Sequence, residues 1–330
     1  MVLIRAKQVR EKVKILDDII KEYKELNPQK ERNYTRYESE FKRRLKEAIR
    51  NLDKLIEDSI RSFNYLSKNE NKHSLPLAKR MRLILVKELN EKGNRKIANL
   101  LDLFSMLNGT DISYKTVERL YSDDKIILGL HNLFIIILNK RGVNNIDVCG
   151  DATGYSLTIT KHYSAYAQKL KEKSKEQIGE KKAFVYKFAL MDLESKMYVC
   201  YGSSLKSEKE AFDKAMQMLR NIDVKINSIR LDRYYSCPVY VNMFKDSRVY
   251  IIPKKNVELS NGFKWHETLK NFLLNTMEYL REYFQRNNSE VGWASDKKMF
   301  GWKISQKRED RIDTSLFVKA VWHNLLLLYN

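Results

Sequence analysis

Cysteine is scarce in this 330-residue chain: Cys149, Cys200 and Cys237 are the whole supply. They are odd in number, widely spaced and form no C-x-x-C pair, so neither a disulfide framework nor a zinc knuckle is indicated. The five histidines do not gather at metal-ligand spacing. A reducing cytoplasm fits this usage. Long apolar runs are missing too. The most apolar stretch, Ile126 to Leu138, is interrupted by His131 and Asn132. It falls short of the about 20 residues that a bilayer span takes and reads as a buried helix. Arg5, Lys7 and Arg10 break any apolar run at the start, so no signal peptide is expected. Internal repeats and low-complexity segments are absent.

Positive charge is abundant. Lys and Arg total 62 against 42 Asp and Glu, a formal net charge of +20. The basic residues are spread along the chain rather than held in a detachable tail. A folded surface this positive attracts polyanions, and nucleic acid is the default partner; a surface charged for solubility is the bland alternative. The charged fraction, 32%, is mixed in sign and the hydrophobic fraction is 43%, which argues for a folded chain with a core. The length suffices for two or three domains.

The first 140 residues read as helical. Val9, Val13, Leu16, Ile20 and Tyr23 recur at helical steps up to a stop at Asn27-Pro28. A second stripe runs from Tyr37 to Phe63 and a third from Leu75 to Leu89. Their outer faces are rich in Lys and Arg, which suits either gripping DNA or plain solvation. Arg95 to Leu107, the turn Asn108-Gly109 and Ser113 to Tyr121 form a helix-turn-helix candidate over about 95–122, with Ser113 as N-cap. Lys115, Thr116 and Arg119 would be exposed on its second helix, where they suit phosphates or base edges. A plain helical hairpin is the competing reading.

The pattern changes near Arg141-Gly142. Ile146 to Cys149 reads as a buried strand ending at Gly150-Asp151. A lysine-rich stretch, Lys169 to Lys182, precedes two strands, Ala183 to Met191 and Lys196 to Tyr201, joined by a turn at Asp192 to Ser195. Ser207 and Glu210 form a capping box for a helix to Arg220. Strands at Ile226 to Leu231 and Val249 to Ile252 follow, then long helices at Trp265 to Arg286 and Thr314 to Tyr329. This order predicts an α/β domain over 141–330, a mixed five-stranded sheet with flanking helices. It is also the order of the ribonuclease-H-like fold.

The string Tyr283-x2-Arg286-x3-Glu290-x6-Lys297 carries the strongest chemical signal. At about 100° per residue its members fall in one sector of a helix. The string resembles the Y-R-E-K signature of bacterial and archaeal insertion-sequence transposases of the DDE type. That resemblance implies a ribonuclease-H-like catalytic domain with Asp151, Asp232 and Glu290 as catalytic acids and metal ligands. Asp151 would close the first strand and Asp232 the fourth, and those strands are neighbours in such a sheet. Clustered carboxylates need cations, and oxygen ligands suit Mg2+ or Mn2+. Two such ions would activate a water or a 3′-hydroxyl and stabilise the leaving oxygen. Tyr283, Arg286 and Lys297 would line the groove as DNA contacts.

A single Asp at a strand end is usually a turn or cap residue, so the set of three carries the argument rather than any one member. Asp192 reads as a turn residue, Asp296 as a loop residue and Asp313 as an N-cap. Trp265, Trp293 and Trp302 read as core, with base stacking a second reading for Trp293. The resemblance further implies cleavage at element ends and 3′-hydroxyl strand transfer into target DNA. Its partners would be double-stranded terminal inverted repeats and target DNA, engaged by a homodimer in a synaptic complex, in a cytoplasmic protein associated with the nucleoid. The β-rich insertion that some relatives carry after the second Asp is not expected between Arg233 and Ser289. Two other classes remain: a nuclease or resolvase that cuts without joining, and a helix-turn-helix DNA-binding protein without catalysis.

Overall fold

The computed structural model describes residues 4–28, 35–61, 75–90, 112–157, 184–259 and 262–330. The first apolar stripe forms two helices, α1 (Ala6–Lys14) and α2 (Leu16–Leu26), with Val9, Val13 and Leu16 buried. The second and third stripes form α3 (Tyr37–Ile60) and α4 (Leu77–Leu89). Ser113 caps α5 (Tyr114–Leu120) by accepting from the Thr116 amide at 3.2 Å. The expected first helix of the helix-turn-helix, with its turn, lies outside the described residues. The apolar stretch becomes α6 (Asp124–Arg141), whose Leu130, Leu133, Phe134 and Ile137 are fully buried. Among the described residues no helix is long and apolar enough to cross a membrane.

The sheet contains β1 (Asn145–Leu157), β2 (Phe184–Asp192), β3 (Tyr198–Ser204), β4 (Lys225–Leu231) and β5 (Arg248–Tyr250), ordered β3-β2-β1-β4-β5. The pairs β1–β2 and β2–β3 are antiparallel, while β1–β4 and β4–β5 are parallel. Helix α7 (Glu208–Arg220) connects β3 to β4 and packs on β3 and β2.

Two features correct the sequence reading. A sixth strand, β6 (Lys303–Ile304), joins the five expected ones by pairing parallel to the end of β1. Strand β1 also does not stop at Asp151. Its ladder with β2 runs unbroken from Val148 to Ser156, and that pairing carries the strand through Asp151. On the other edge the β4 pairing ends at Gly150↔Leu231, and β6 begins only at Ser156. Residues 151–155 of β1 therefore face a notch between β4 and β6.

The helix predicted from Trp265 to Arg286 is divided into α8 (Phe263–Leu274), α9 (Thr276–Tyr283) and a 3-10 turn (Phe284–Arg286). Helix α10 (Asn287–Phe300) follows at once, and Asn287, Asn288, Ser289 and Gly292 all lie within it. The helical path of the motif is interrupted before Glu290, at the 3-10 turn, so its four members do not share one continuous α-helix. Between Arg233 and Ser289 the only strand among the described residues is β5, so they hold no β-rich insertion. Helix α11 (Glu309–Leu327) is buried nearly throughout. It packs on α6, α4 and α3 as well as on β3, so the helical and sheet parts share one core.

Candidate active site

Three acids reach the notch from three elements. Asp151 lies on β1, one residue past the last β1–β4 pair, and Asp232 directly follows Leu231 at the end of β4. That register makes the two aspartates neighbours. Asp232 caps the 3-10 turn Arg233–Tyr235 by accepting from the Tyr234 amide at 2.8 Å. Glu290 arrives on the first turn of α10.

Arg286 ties them together. Its Nη1 lies 3.2 Å from Asp151 Oδ2 and 3.6 Å from Asp232 Oδ2, and its Nη2 lies 3.0 Å from Glu290 Oε1. One guanidinium thus lies within ion-pair distance of three carboxylates and donates a hydrogen bond to Asp151. Burial pushes the Asp151 carboxyl up to about 6; Arg286 and the Ala152 amide pull it back, while Asp232 and Glu290 add to the rise. Burial is therefore the main reason that Asp151 holds its proton, and the neighbouring acids add a smaller part.

Lys297 lies two helical turns beyond Glu290. Its ammonium donates to Thr153 Oγ1 at 2.6 Å and sits 5.0 Å from the Trp302 ring centroid. Burial draws its pKa down. Tyr283 is only 7% exposed and meets the Arg286 guanidinium, whose Cζ is 5.9 Å from the ring centroid. It supports Arg286 from within the fold rather than opening to solvent.

The chain is 41% identical over 324 residues to a probable transposase for insertion sequence element ISA1214 from Archaeoglobus fulgidus, covering 98% of this chain and 96% of that protein. The chain belongs to the insertion-sequence transposases. No family model matches it. No solved structure matches it either.

In this transposase the site residues fit a divalent cation by donor chemistry. Asp151, Asp232 and Glu290 offer only hard oxygen, the donor type that Mg2+ and Mn2+ take. Among the described residues, however, no three His, Cys, Asp or Glu side chains converge to hold a metal ion. Arg286 lies between the acids instead.

Other positions of the transposase depart from expectation. Asp296 is no loop residue: it is mid-helix in α10 and 1% exposed. Asp313 is not an N-cap; it lies within α11 and accepts from Ser203 Oγ at 2.6 Å. Asp192 is the last residue of β2 rather than part of the turn, and its carboxylate caps that turn by accepting from the Ser195 amide at 2.7 Å. Trp265 and Trp293 are core, whereas Trp302 is 65% exposed beside Lys297. Lys115 and Arg119 are exposed on α5, but the Thr116 hydroxyl is engaged with Ser113 Oγ at 3.0 Å. Thr153 was missed. Its signal was available, because it lies two residues after Asp151 and a strand returns to the same face at that step.

Proposed function

We propose that the transposase works by DDE chemistry on a ribonuclease-H-like domain, cutting phosphodiesters at the ends of its element and joining the freed 3′-hydroxyls to target DNA. The observation that carries this reading is the convergence of Asp151, Asp232 and Glu290, from two strands and a helix, on the single guanidinium of Arg286. The strand order β3-β2-β1-β4-β5 supports the fold assignment.

In this reading Asp151, Asp232 and Glu290 hold Mg2+ or Mn2+, as a two-ion site. When bound, the ions lower the pKa of the attacking water or 3′-hydroxyl and stabilise the leaving oxygen. Arg286 is then free to turn a face of its guanidinium to the scissile phosphate, while Tyr283 keeps its stem in place. Lys297 supplies a point charge to the backbone on the far side of Glu290. Region 1–140, with Lys115, Thr116 and Arg119 on α5, binds the terminal repeats. A dimer on DNA brings two ends together.

The test incubates labelled duplexes carrying the DNA on either side of the gene with a target plasmid and Mg2+. Joined products are expected from the wild type. Asp151→Asn and Asp232→Asn should bind the same duplexes and produce none. Cleavage without joining would make the protein a nuclease, and full activity of either variant would remove the site assignment.

A further inference from the structure

Helix α10 carries Glu290 and Lys297 on one side and a second set of charges on the other. Ser289, Gly292, Trp293, Asp296 and Phe300 form its buried stripe. A carboxylate in such a stripe is costly to desolvate unless partners surround it. Asp296 Oδ1 lies 2.7 Å from His323 Nδ1, and its Oδ2 accepts from the Tyr198 hydroxyl at 3.0 Å. The Lys187 ammonium stands 3.5 Å from the same Oδ2. Lys187 is fully buried, over the rings of Trp293 at 4.9 Å and Tyr198 at 5.0 Å. His323 Nε2 donates to the Lys196 carbonyl at 2.9 Å, since that oxygen can only accept.

The register of the sheet gives this cluster a link to the site. Lys187 on β2 and Thr153 on β1 are cross-strand partners. The consecutive helical residues Asp296 and Lys297 each hold one of them, Asp296 through Lys187 and Lys297 through Thr153. Asp151 lies two residues before Thr153, on the same face of β1. A third tie holds the end of the helix: Lys319 Nζ donates to the Phe300 carbonyl at 2.8 Å. The helix also rides close to the sheet, for a Cβ on Gly292 would lie 2.2 Å from Met191 Cε and 3.2 Å from Tyr198 Oη.

We infer that Lys187, Asp296 and His323 are positioning residues, a buried charge cluster that fixes the rotation and axial register of helix α10 and thereby sets Glu290 and Lys297 against Asp151 and Asp232. Apolar contacts from Trp293 and Phe300 are non-directional and tolerate sliding. A slip of one residue would move the helix by about 1.5 Å and turn it by about 100°. That is enough to take Glu290 and Lys297 away from Asp151 and Thr153 on β1, and misplacement of about 1 Å costs about a hundredfold in rate. Buried ion pairs are poor stabilisers compared with apolar residues of the same volume, so a fixed register is what the charges contribute.

The catalytic arm of the test rests on the proposed function; the structural arm does not. Lys187→Met/Asp296→Leu removes the Lys187–Asp296 ion pair as a unit and takes away the Nδ1 partner of His323. Three readouts are taken on the full chain: amide hydrogen exchange in 287–300, referenced to α6, affinity for a DNA end, and strand cleavage in Mg2+ beside Asp232→Asn. Expected are exchange in 287–300 faster by about tenfold, DNA-end affinity within about threefold of wild type, and cleavage slower by about a hundredfold. Unchanged exchange overturns the inference. So does wild-type cleavage by the double variant while Asp232→Asn is dead. If Asp232→Asn itself cleaves, the proposed chemistry fails and the exchange result alone decides the positioning role. Should the double variant not fold, Asp296→Asn, which keeps the side-chain size, carries the same readouts.

Discussion

The Arg286 guanidinium lies 3.2 Å from the Asp151 carboxylate across 135 residues of chain. Asp151 comes from a strand and Arg286 from a 3-10 turn, and neither is near the other until β1, β4 and the α9–α10 junction are assembled. The same guanidinium reaches Asp232 and Glu290, so it is the internal counter-ion of the whole site.

Arg286→Gln should therefore leave three carboxylates facing one another. The metal-free variant is expected to lose about 1–3 kcal/mol of stability at pH 8, and Mg2+ should restore much of it. Thermal melts with and without Mg2+ measure this. The Mg2+-induced rise in Tm should be larger in the variant than in the wild type, and an equal rise would reject the counter-ion role.

Lys297→Met tests the cation at the other end of the notch. A lysine that neutralises one phosphate adds about one to the slope of log affinity against log salt. Fluorescence anisotropy over a salt series should show that slope reduced by about one, with affinity near physiological salt lower by about tenfold. An unchanged slope would mean that Lys297 serves only its bond to Thr153.

Much of the fold could be read from periodicity, since amphipathic stripes and strand–turn–helix alternation are local signals. Ser113 and Ser207 cap their helices as their positions suggest. The neighbouring of Asp151 and Asp232 was also legible, because it follows from strand order. What local signals missed depended on pairing partners. Nothing in Asp151-Ala-Thr-Gly154 announces that β2 continues the ladder to Ser156. Asp296 looked like a loop residue because Asn287, Asn288, Ser289 and Gly292 are poor helix formers. Tertiary ties from Lys187, His323 and Lys319 outweigh that propensity.

Gly202 on β3 provides a stability prediction away from the site. A Cβ there would lie 2.1 Å from the Ala211 carbonyl oxygen and 2.6 Å from the Ala215 amide nitrogen. Both are backbone atoms of α7, so the helix must move off the sheet. Gly202→Ala should cost about 3 kcal/mol in urea unfolding. A cost under about 0.5 kcal/mol would show that α7 does not pack this closely.

The raised Asp151 carboxyl gives a pH signature with a definite sign. Its ordinary value is 3.8 and the folded, metal-free site holds it at about 6. The native state thus binds the proton more tightly than the unfolded chain does. The stability associated with that proton is fully present below pH 3.8 and is lost as the pH rises through about 6. The loss is on the order of 2–3 kcal/mol. Asp151→Asn has no such proton, so the variant should gain on the wild type by that amount between about pH 4 and 7.5. Chemical denaturation of both proteins in chelator at those two pH values measures the difference, and a constant difference would reject the raised carboxyl. Strand cleavage by the wild type should rise across the same interval, because only the ionised Asp151 can hold a divalent cation. Raising the Mg2+ concentration should move the midpoint of cleavage to lower pH, since a cation bound to the carboxylate competes with the proton.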